Sequence, residues 1–499
     1  MIILVITSVL TTALVSWLWR EIRRPPNFPP GPQWLPIVGN TPLIRKLTRD
    51  CGGQHLAFKA ISKQYKSPVI GLKLGQEYVV VALQYPAVVE ALTKEDFDGR
   101  PDNFFIRLRT MGTRLGMTFT DGPFWTEHRN FVVRHLRQAG YGRQPMQLHI
   151  QNELKELIGI IRDLEGEPVW PGSILPIGVI NVLWTFTTGS RIPRNDQRLP
   201  RLLKLMRDRS KAFDMSGGVL SQLPWLRHIA PEWTGYNLIK RFNQEILEFF
   251  RPAIETHHQE YTEEKCSDDL IYAFIKEMKG RQDDPSSTFT DLQLTMIILD
   301  IFIAGSQTTS TTIDIALMVL AMNNEIQKKI HTEIDENLHQ DEIPMNYDRT
   351  SLPYTEAFLL EVMRLHQIAP IGGPRRALSE CTLAGYRVPK NATILMGLDT
   401  VQMDPEHWGD PENFRPERFL SSDGKIINTD RLIPFGLGRR RCLGDSLARS
   451  CMFTFLVGIL QSFRLRLPVN GSEVPSLKLL PGITLSPKPY KIVFEPRIK

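Results

Sequence analysis

The chain has 499 residues, 42% of them apolar, and its 60 basic side chains against 54 acidic ones leave a formal charge of +6. This composition belongs to a folded globular protein and excludes a disordered or fibrous one. The charge is small for the length and its cations are scattered, which argues against nucleic-acid binding. Five cysteines, Cys51, Cys266, Cys381, Cys442 and Cys451, form no C-x-x-C pair, so neither a disulfide framework nor a zinc ribbon fits and a reducing compartment is the default.

Residues 2–19, IILVITSVLTTALVSWLW, carry no charge, and as a helix they span roughly 27 Å, which suits an endoplasmic-reticulum bilayer. Residues 1–20 read as a transmembrane signal anchor, because a positive leader and a small-x-small cleavage site are both missing. Arg20, Arg23 and Arg24 follow the span, so the expected topology is single-pass with the bulk of the chain in the cytosol. Two sequons, Asn391-Ala-Thr393 and Asn470-Gly-Ser472, are then expected to stay unmodified. Residues 21–36 are basic and proline-rich and read as a stiff extended tether.

Residues 37–499 contain no second linker or repeat and read as one catalytic domain. Pro68–Leu74 and Tyr78–Ala82 have strand character, residues 120–370 have helical periodicity, and short strands are expected around Gly385-Tyr386 and Thr393–Met396. The predicted class is mainly α with minor β. The longest helix starts at the capping pattern Thr290-Asp291-Leu292-Gln293, runs to about Asn323 and is apolar nearly all round, as a central helix is. Inside it, Ala304-Gly305-Ser306-Gln307-Thr308-Thr309 predicts a local distortion opening a groove, or else a small-residue packing contact.

Glu361 and Arg364 lie three apart on one helical face. Residues 435–444 read Phe-Gly-Leu-Gly-Arg-Arg-Arg-Cys-Leu-Gly. Helical spacing behind them puts Cys442 at a helix amino terminus, where the dipole favours thiolate. Gly436, Gly438 and Gly444 permit close approach to a flat bulky group, and Arg440 can reach a carboxylate on it.

The pattern F-x-x-G-x-R-x-C-x-G, together with Glu361-Val-Met-Arg364 and Phe414-Arg-Pro416-Glu-Arg418-Phe419, resembles the cytochrome P-450 superfamily of haem-thiolate monooxygenases. The resemblance covers essentially the whole chain. It implies haem b with Cys442 as axial thiolate, and a buried network of Glu361, Arg364 and Arg418 supporting the haem loop. It further implies haem contacts from Phe435, Arg440 and Gly444, and from Trp125 and Arg129 of a W-x-x-x-R pattern. Arg100 and either Arg375 or Arg376 are implied as further propionate partners.

The mid-helix segment resembles the family's A-G-x-[D/E]-T-T, which implies that Thr308 guides protons to oxygen. Here Gln307 stands in place of the acid and cannot ionise. Two readings follow: a water chain through Thr308 in a monooxygenase, which is favoured, or an oxygen-independent peroxide isomerase. A non-catalytic haem protein is a further alternative. No G-x-G-x-x-G is present, so electrons are expected from NADPH–cytochrome reductase, with Arg134, Arg137, Lys328 and Arg439 as candidate contacts.

Expected pocket residues are Phe104, Phe105, Ile106, Leu115, Phe213, Ile301, Ala304, Ile371 and Leu485, which imply a lipophilic substrate and O2, with access from membrane lipid. The runs Gly99–Gly112, Arg134–Arg137 and Gly140–Arg143 are most similar to insect methyl farnesoate epoxidases of juvenile-hormone synthesis. Ecdysteroid, fatty-acid or xenobiotic hydroxylation are the alternatives.

Overall fold

Apolar residues at helical spacing fill the middle of the chain, and the structure, a computed structural model, places helices there. It describes residues 2–267, 269–339, 342–468 and 474–497, so the sequon at Asn470 lies outside the described residues. The amino-terminal part carries α1 (Ile2–Ile22), α2 (Thr41–Cys51), α3 (Gln54–Tyr65), β1 (Val69–Leu74), β2 (Glu77–Ala82), α4 (Tyr85–Thr93) and α5 (Phe104–Arg109). The helical body follows with α6 (Gly122–Gln138), α7 (Gln144–Arg162), α8 (Pro171–Thr188), α9 (Arg198–Ala212), α10 (Gly218–Gln222) and α11 (Tyr236–Glu260). It continues through α12 (Leu270–Gly280), α13 (Asp291–Met322), α14 (Asn324–Asn337) and α15 (Pro353–Leu365). The carboxyl-terminal part holds β3 (Arg375–Arg376), β4 (Cys381–Leu383), β5 (Tyr386–Val388), β6 (Thr393–Met396), α16 (Leu398–Gln402), α17 (Pro405–Trp408), α18 (Asp445–Ser462), β7 (Phe463–Arg466) and β8 (Val493–Pro496).

Helix α13 begins where its capping residue predicts, with Thr290 Oγ1 accepting the Gln293 N–H at 3.2 Å. Its 32 residues make it about 48 Å long. Ile297, Ile298, Leu299, Phe302 and Ile315 to Leu320 are all buried, so it is the central strut of the helical core. The expected distortion at Gly305 is not seen, since the helix is continuous from Asp291 to Met322. Gly305 serves close packing instead: a Cβ there would fall 1.9 Å from Leu183 Cδ1 of α8.

Residues far apart in sequence close the small sheet, whose strand order is β1-β2-β6-β3. Val79 to Ala82 pair in parallel with Thr393 to Met396, and Arg375 and Arg376 pair antiparallel with Ile394 and Thr393. Because successive strand residues face opposite ways, this short β3 turns Arg375 inward and Arg376 outward.

Helix α1 extends to Ile22, two residues past the predicted anchor, and none of its residues is buried; it is long and apolar enough to cross a membrane. The proline-rich segment after it is laid on the sheet and does not stand free as a spacer. Pro30 O accepts the Gly71 N–H at 2.8 Å, and Phe28 and Trp34 join the buried cluster beside Val69 and Val80. Lys73, itself buried, donates to the Glu21 carboxylate at the end of α1.

Candidate active site

A cavity of about 480 Å³ is bounded by three stretches: residues 434–444, the middle of α13 from Asp300 to Thr312, and residues 366–373 after α15. In the first stretch the Cys442 N–H donates to Phe435 O at 2.9 Å and closes the turn. Gly438 is required there, because its φ is +71° and a Cβ would lie 2.4 Å from Leu92 O. Phe435, Cys442 and Gly444 all border the cavity. Helix α18 starts at Asp445 with Gly444 as its N-cap, so Cys442 sits in the turn before the helix and not in its first turn. The Gly444 N–H at the start of α18 favours the Cys442 thiolate, as a helix amino terminus does, against burial, which pushes the thiol up.

Cations gather at one edge of the cavity, where Arg100, Arg129, Arg375 and Arg440 all line it with Trp125. The Arg440 guanidinium lies 3.6 Å from the Trp125 ring centroid. It donates to Asp98 O at 2.8 and 3.1 Å and to Thr120 O at 2.9 Å. Arg129 lies on the same indole at 5.5 Å and donates to Arg441 O at 2.9 Å. Arg100 donates to Pro374 O at 2.6 Å and Gly373 O at 3.1 Å, while its buried Nε has no partner. Burial, then repulsion from Arg440 and Arg375, pushes Arg100 well below its usual range, and burial brings Arg440 down to about 9. Arg375 donates to Asp98 Oδ1 at 2.9 Å. Arg376 does not line the cavity; it donates to Asp121 Oδ2 at 2.8 Å and Asn391 Oδ1 at 2.9 Å. Of the two arginines the sequence left open, Arg375 faces the cavity and strand alternation turns Arg376 away from it.

On α13, Ile301, Ala304 and Thr308 border the cavity. The Thr308 hydroxyl donates to Ala304 O at 2.8 Å, leaving its lone pairs for the cavity. Gln307 is one position round the helix, does not line the cavity, and has its Nε2 buried without a partner. Its expected catalytic placement is thus corrected.

The charged network is present and dry. Glu361 and Arg364 are 0% exposed and Arg418 is 7% exposed. Arg364 holds Glu361 through two N–H···O bonds, at 2.7 and 2.8 Å, and also donates to Gln402 O at 2.9 Å. Arg418 Nε donates to Glu361 Oε1 at 3.0 Å, as does the Arg415 amide at 2.9 Å. Helix α15 runs from this network into the cavity wall, where Gln367 Nε2 donates to Pro434 O at 3.4 Å beside the cysteine turn.

Of the predicted pocket residues, Ile301, Ala304 and Ile371 line the cavity, joined by Ile368 and Ile483. Phe105, Ile106 and Phe213 do not; they form a cluster with Phe104, Leu220 and Ile239, in which the tilted rings of Phe105 and Phe213 lie 4.8 Å apart. Leu115 packs on the main core. Leu485 does not line the cavity either; its N–H donates to Ile368 O at 2.7 Å. Phe104, Phe105 and Ile106 sit on the short helix α5 and meet Phe213 at the end of α9, Leu220 of α10 and Ile239 of α11. Residues missed from sequence include Met117, Thr118 and His366, which loops deliver to the wall and no periodicity marks, and Met396 at the end of the predicted strand β6. Tyr141 had a signal, the Gly140–Arg143 run; it lines the cavity and its hydroxyl donates to Leu443 O at 3.3 Å.

A large planar group with two carboxylates fits this donor set. Four cations, Arg375 buried and Arg100, Arg129 and Arg440 half-buried, converge with Asp98 and Asp121 as their nearby anions, and Arg100 Nε is orphaned. A cysteine borders the same space among glycines that leave it clear.

Comparison with known proteins agrees. The family model described as Cytochrome P450 matches residues 29–494. The chain is 50% identical over 497 residues to "Probable cytochrome P450 305a1" of Drosophila melanogaster, covering 98% of both. It is 39% identical over 470 residues to "Farnesoate epoxidase" of Bombyx mori, covering 94% of both. It is 33% identical over 486 residues to "Cytochrome P450 2J2" of Homo sapiens, covering 95% of this chain and 93% of the human one. Mainly helical with small sheets, centred on a cysteine turn and implying haem b held by a cysteine thiolate, the chain belongs to the cytochrome P450 family and is a monooxygenase.

Proposed function

We propose that the protein oxygenates a farnesoid lipid, methyl farnesoate or the free acid, to the epoxide of juvenile-hormone synthesis, with electrons from NADPH through a membrane-bound flavoprotein reductase. The observation that carries the reading is one cavity in which Ile301, Ile368, Ile371 and Ile483 share walls with Thr308 and Cys442. The similarity to a farnesoate epoxidase supports the choice of lipid.

Bound haem b with a thiolate ligand activates O2 and inserts one of its atoms, the other leaving as water after two electrons and two protons arrive. Cys442 would be that ligand. Arg100, Arg129, Arg375 and Arg440 would hold the carboxylates through charge-assisted bonds. The apolar wall excludes water and orients the chain of the substrate. Thr308 Oγ1 can accept from a water and, by turning its hydrogen away from Ala304 O, pass a proton on; no carboxylate on α13 next to it is needed for that exchange. Glu361, Arg364 and Arg418 would keep the loop behind Cys442 in place.

Anchoring in the endoplasmic-reticulum membrane by α1, with the body in the cytosol, is supported by a helix with no buried residue and by exposed Trp225, Ile229 and Trp233. Exposed Arg134 and Arg137 on α6 offer cations to the reductase. The test is reconstitution with reductase and a panel of terpenoid acids and esters, steroids and fatty acids, following NADPH and O2 consumption. An epoxide of a farnesoid substrate formed with matching NADPH use is expected. No spectral shift and no epoxide with either farnesoid overturns the substrate, and peroxide rearrangement without NADPH overturns the monooxygenase route.

A further inference from the structure

Every residue of β1 is buried, and one of them is a lysine. Lys73 is only 4% exposed, and an ammonium is seldom sealed off in this way without an anion beside it. Strand alternation settles which way it points. Leu72 and Leu74 join the cluster that holds Ile44 and Phe58, so Gly71 and Lys73 face the opposite side, where the proline-rich segment lies. Gly71 gives that segment room, because a Cβ there would fall 2.5 Å from Phe28 and from Pro29 O. Asn40 clasps the Lys73 backbone, its amide donating to Lys73 O at 2.6 Å and its Oδ1 accepting the Lys73 N–H at 3.1 Å.

The anion that Lys73 meets comes from the end of α1. Its Nζ donates to Glu21 Oε2 and, at 3.1 Å, to Glu21 O, and no other carboxylate among the described residues pairs with it. Gln76 Nε2 donates to the same Glu21 oxygen at 3.3 Å. Three residues on, Arg24 donates to Pro32 O at 2.7 Å and Pro29 O at 3.1 Å and lies 5.4 Å from the Trp34 ring centroid. A helix end held at one point can swivel. Here the chain is held at Glu21 and again at Arg24, with two residues between, so the body sets the direction in which α1 leaves it.

The same corner carries an apolar rim. Gly75, in the turn between β1 and β2, approaches the end of α10 so closely that a Cβ on it would lie 3.0 Å from Gln222 O. The segment between α10 and α11 is thereby brought beside the root of α1, and it exposes Trp225, Ile229 and Trp233. Leu35 and Ile37 are exposed as well, and Ile37 O accepts from Gln76 Nε2, the donor that also meets Glu21. Cations border the rim: Arg45 stacks on Trp233 at 5.2 Å, and Arg20 and Arg23 are exposed at the end of α1. An exposed apolar patch edged by cations and continuous with the root of an apolar helix fits a lipid bilayer with its charged head groups.

We infer that the buried Lys73–Glu21 ion pair is a rigid joint between α1 and the catalytic body, and that it fixes the tilt of the body on the bilayer so that residues 222–235 are held against lipid. The inference rests on the membrane anchoring of α1 proposed above and adds orientation to it, since an anchor alone leaves the body free to swing.

The experiment compares the full-length, haem-loaded parent with Lys73→Met and Glu21→Gln in phosphatidylcholine vesicles. Flotation after an alkaline carbonate wash reports the anchor, linear dichroism of the Soret band in aligned bilayers reports the tilt, and hydrogen exchange of residues 222–235 reports contact with lipid. Lys73→Met puts an apolar side chain of similar length in the buried position, so the body should keep its haem and its ferrous carbon monoxide spectrum. The parent is expected to float and to be dichroic. Both variants should float equally, lose most of the dichroism and exchange residues 222–235 about tenfold faster, the scale of one charge-assisted hydrogen bond. If Lys73→Met fails to incorporate haem, Glu21→Gln, altered only at the end of α1, gives the same reading. A parent that floats without dichroism, or a haem-loaded variant that keeps the parent's dichroism or its exchange, overturns the joint and leaves the anchor standing. A parent removed from the vesicles by the carbonate wash overturns both.

Discussion

Arg364→Ala removes one side of an ion pair that water does not reach. Glu361 would lose the two N–H···O bonds at 2.7 and 2.8 Å and keep only Arg418 at 3.0 Å and the Arg415 amide at 2.9 Å. Gln402 O would lose its donor at 2.9 Å as well. Stranding a charge in such a site costs about 3 to 5 kcal/mol. At about 2.1 cal/mol/K per residue, a body of roughly 460 residues has an unfolding entropy near 1 kcal/mol/K, so Tm should fall by about 3 to 5 °C. Because α15 leads into the wall that meets Pro434, haem content should drop before turnover per haem does. Calorimetry and the pyridine haemochrome of the purified variant measure the two effects. Arg364→Lys, which keeps the charge but not the fork, should lie between parent and Ala. An Ala variant with full haem content and an unshifted Tm would refute the supporting role of the network.

The remaining predictions concern ligand, cofactor edge and acid stability. Cys442→His should abolish the red-shifted Soret band of the ferrous carbon monoxide complex, whereas Cys451→Ala, in a fully buried core position, should keep it and cost about 1 kcal/mol. Arg375→Ala should speed haem transfer to apomyoglobin about tenfold or more, while Arg376→Ala, off the cavity, should leave the rate within about twofold; equal effects would contradict the strand alternation. His128, walled by Phe124 and Phe289 at 4.7 Å, is held down to about 4 by burial. Its folded value is below the unfolded 6.5, so below that pH the unfolded chain takes the proton first and stability falls as pH drops from 6.5 toward 4. The loss is at most about 3 kcal/mol, and a His128→Phe variant followed by denaturant titration should show a flatter acid limb.

Wherever chemistry is written in contiguous residues, the sequence alone determined the outcome. The turn that presents Cys442 needs glycine at 438 because the backbone there is left-handed and Leu92 O is 2.4 Å from any Cβ. The start of α13 at Thr290 and the apolar length behind it are likewise local facts. Glu361, Arg364 and Arg418 were legible as a pattern, yet only burial distinguishes a dry network from a solvated surface pair. Tertiary structure decided the rest because it depends on which way a side chain turns. Pairing of β3 with β6 sends Arg375 to the cavity and Arg376 away. One position around a continuous helix separates Thr308 from Gln307. Phe104, Phe105, Ile106 and Phe213 were read as pocket and prove to be each other's core.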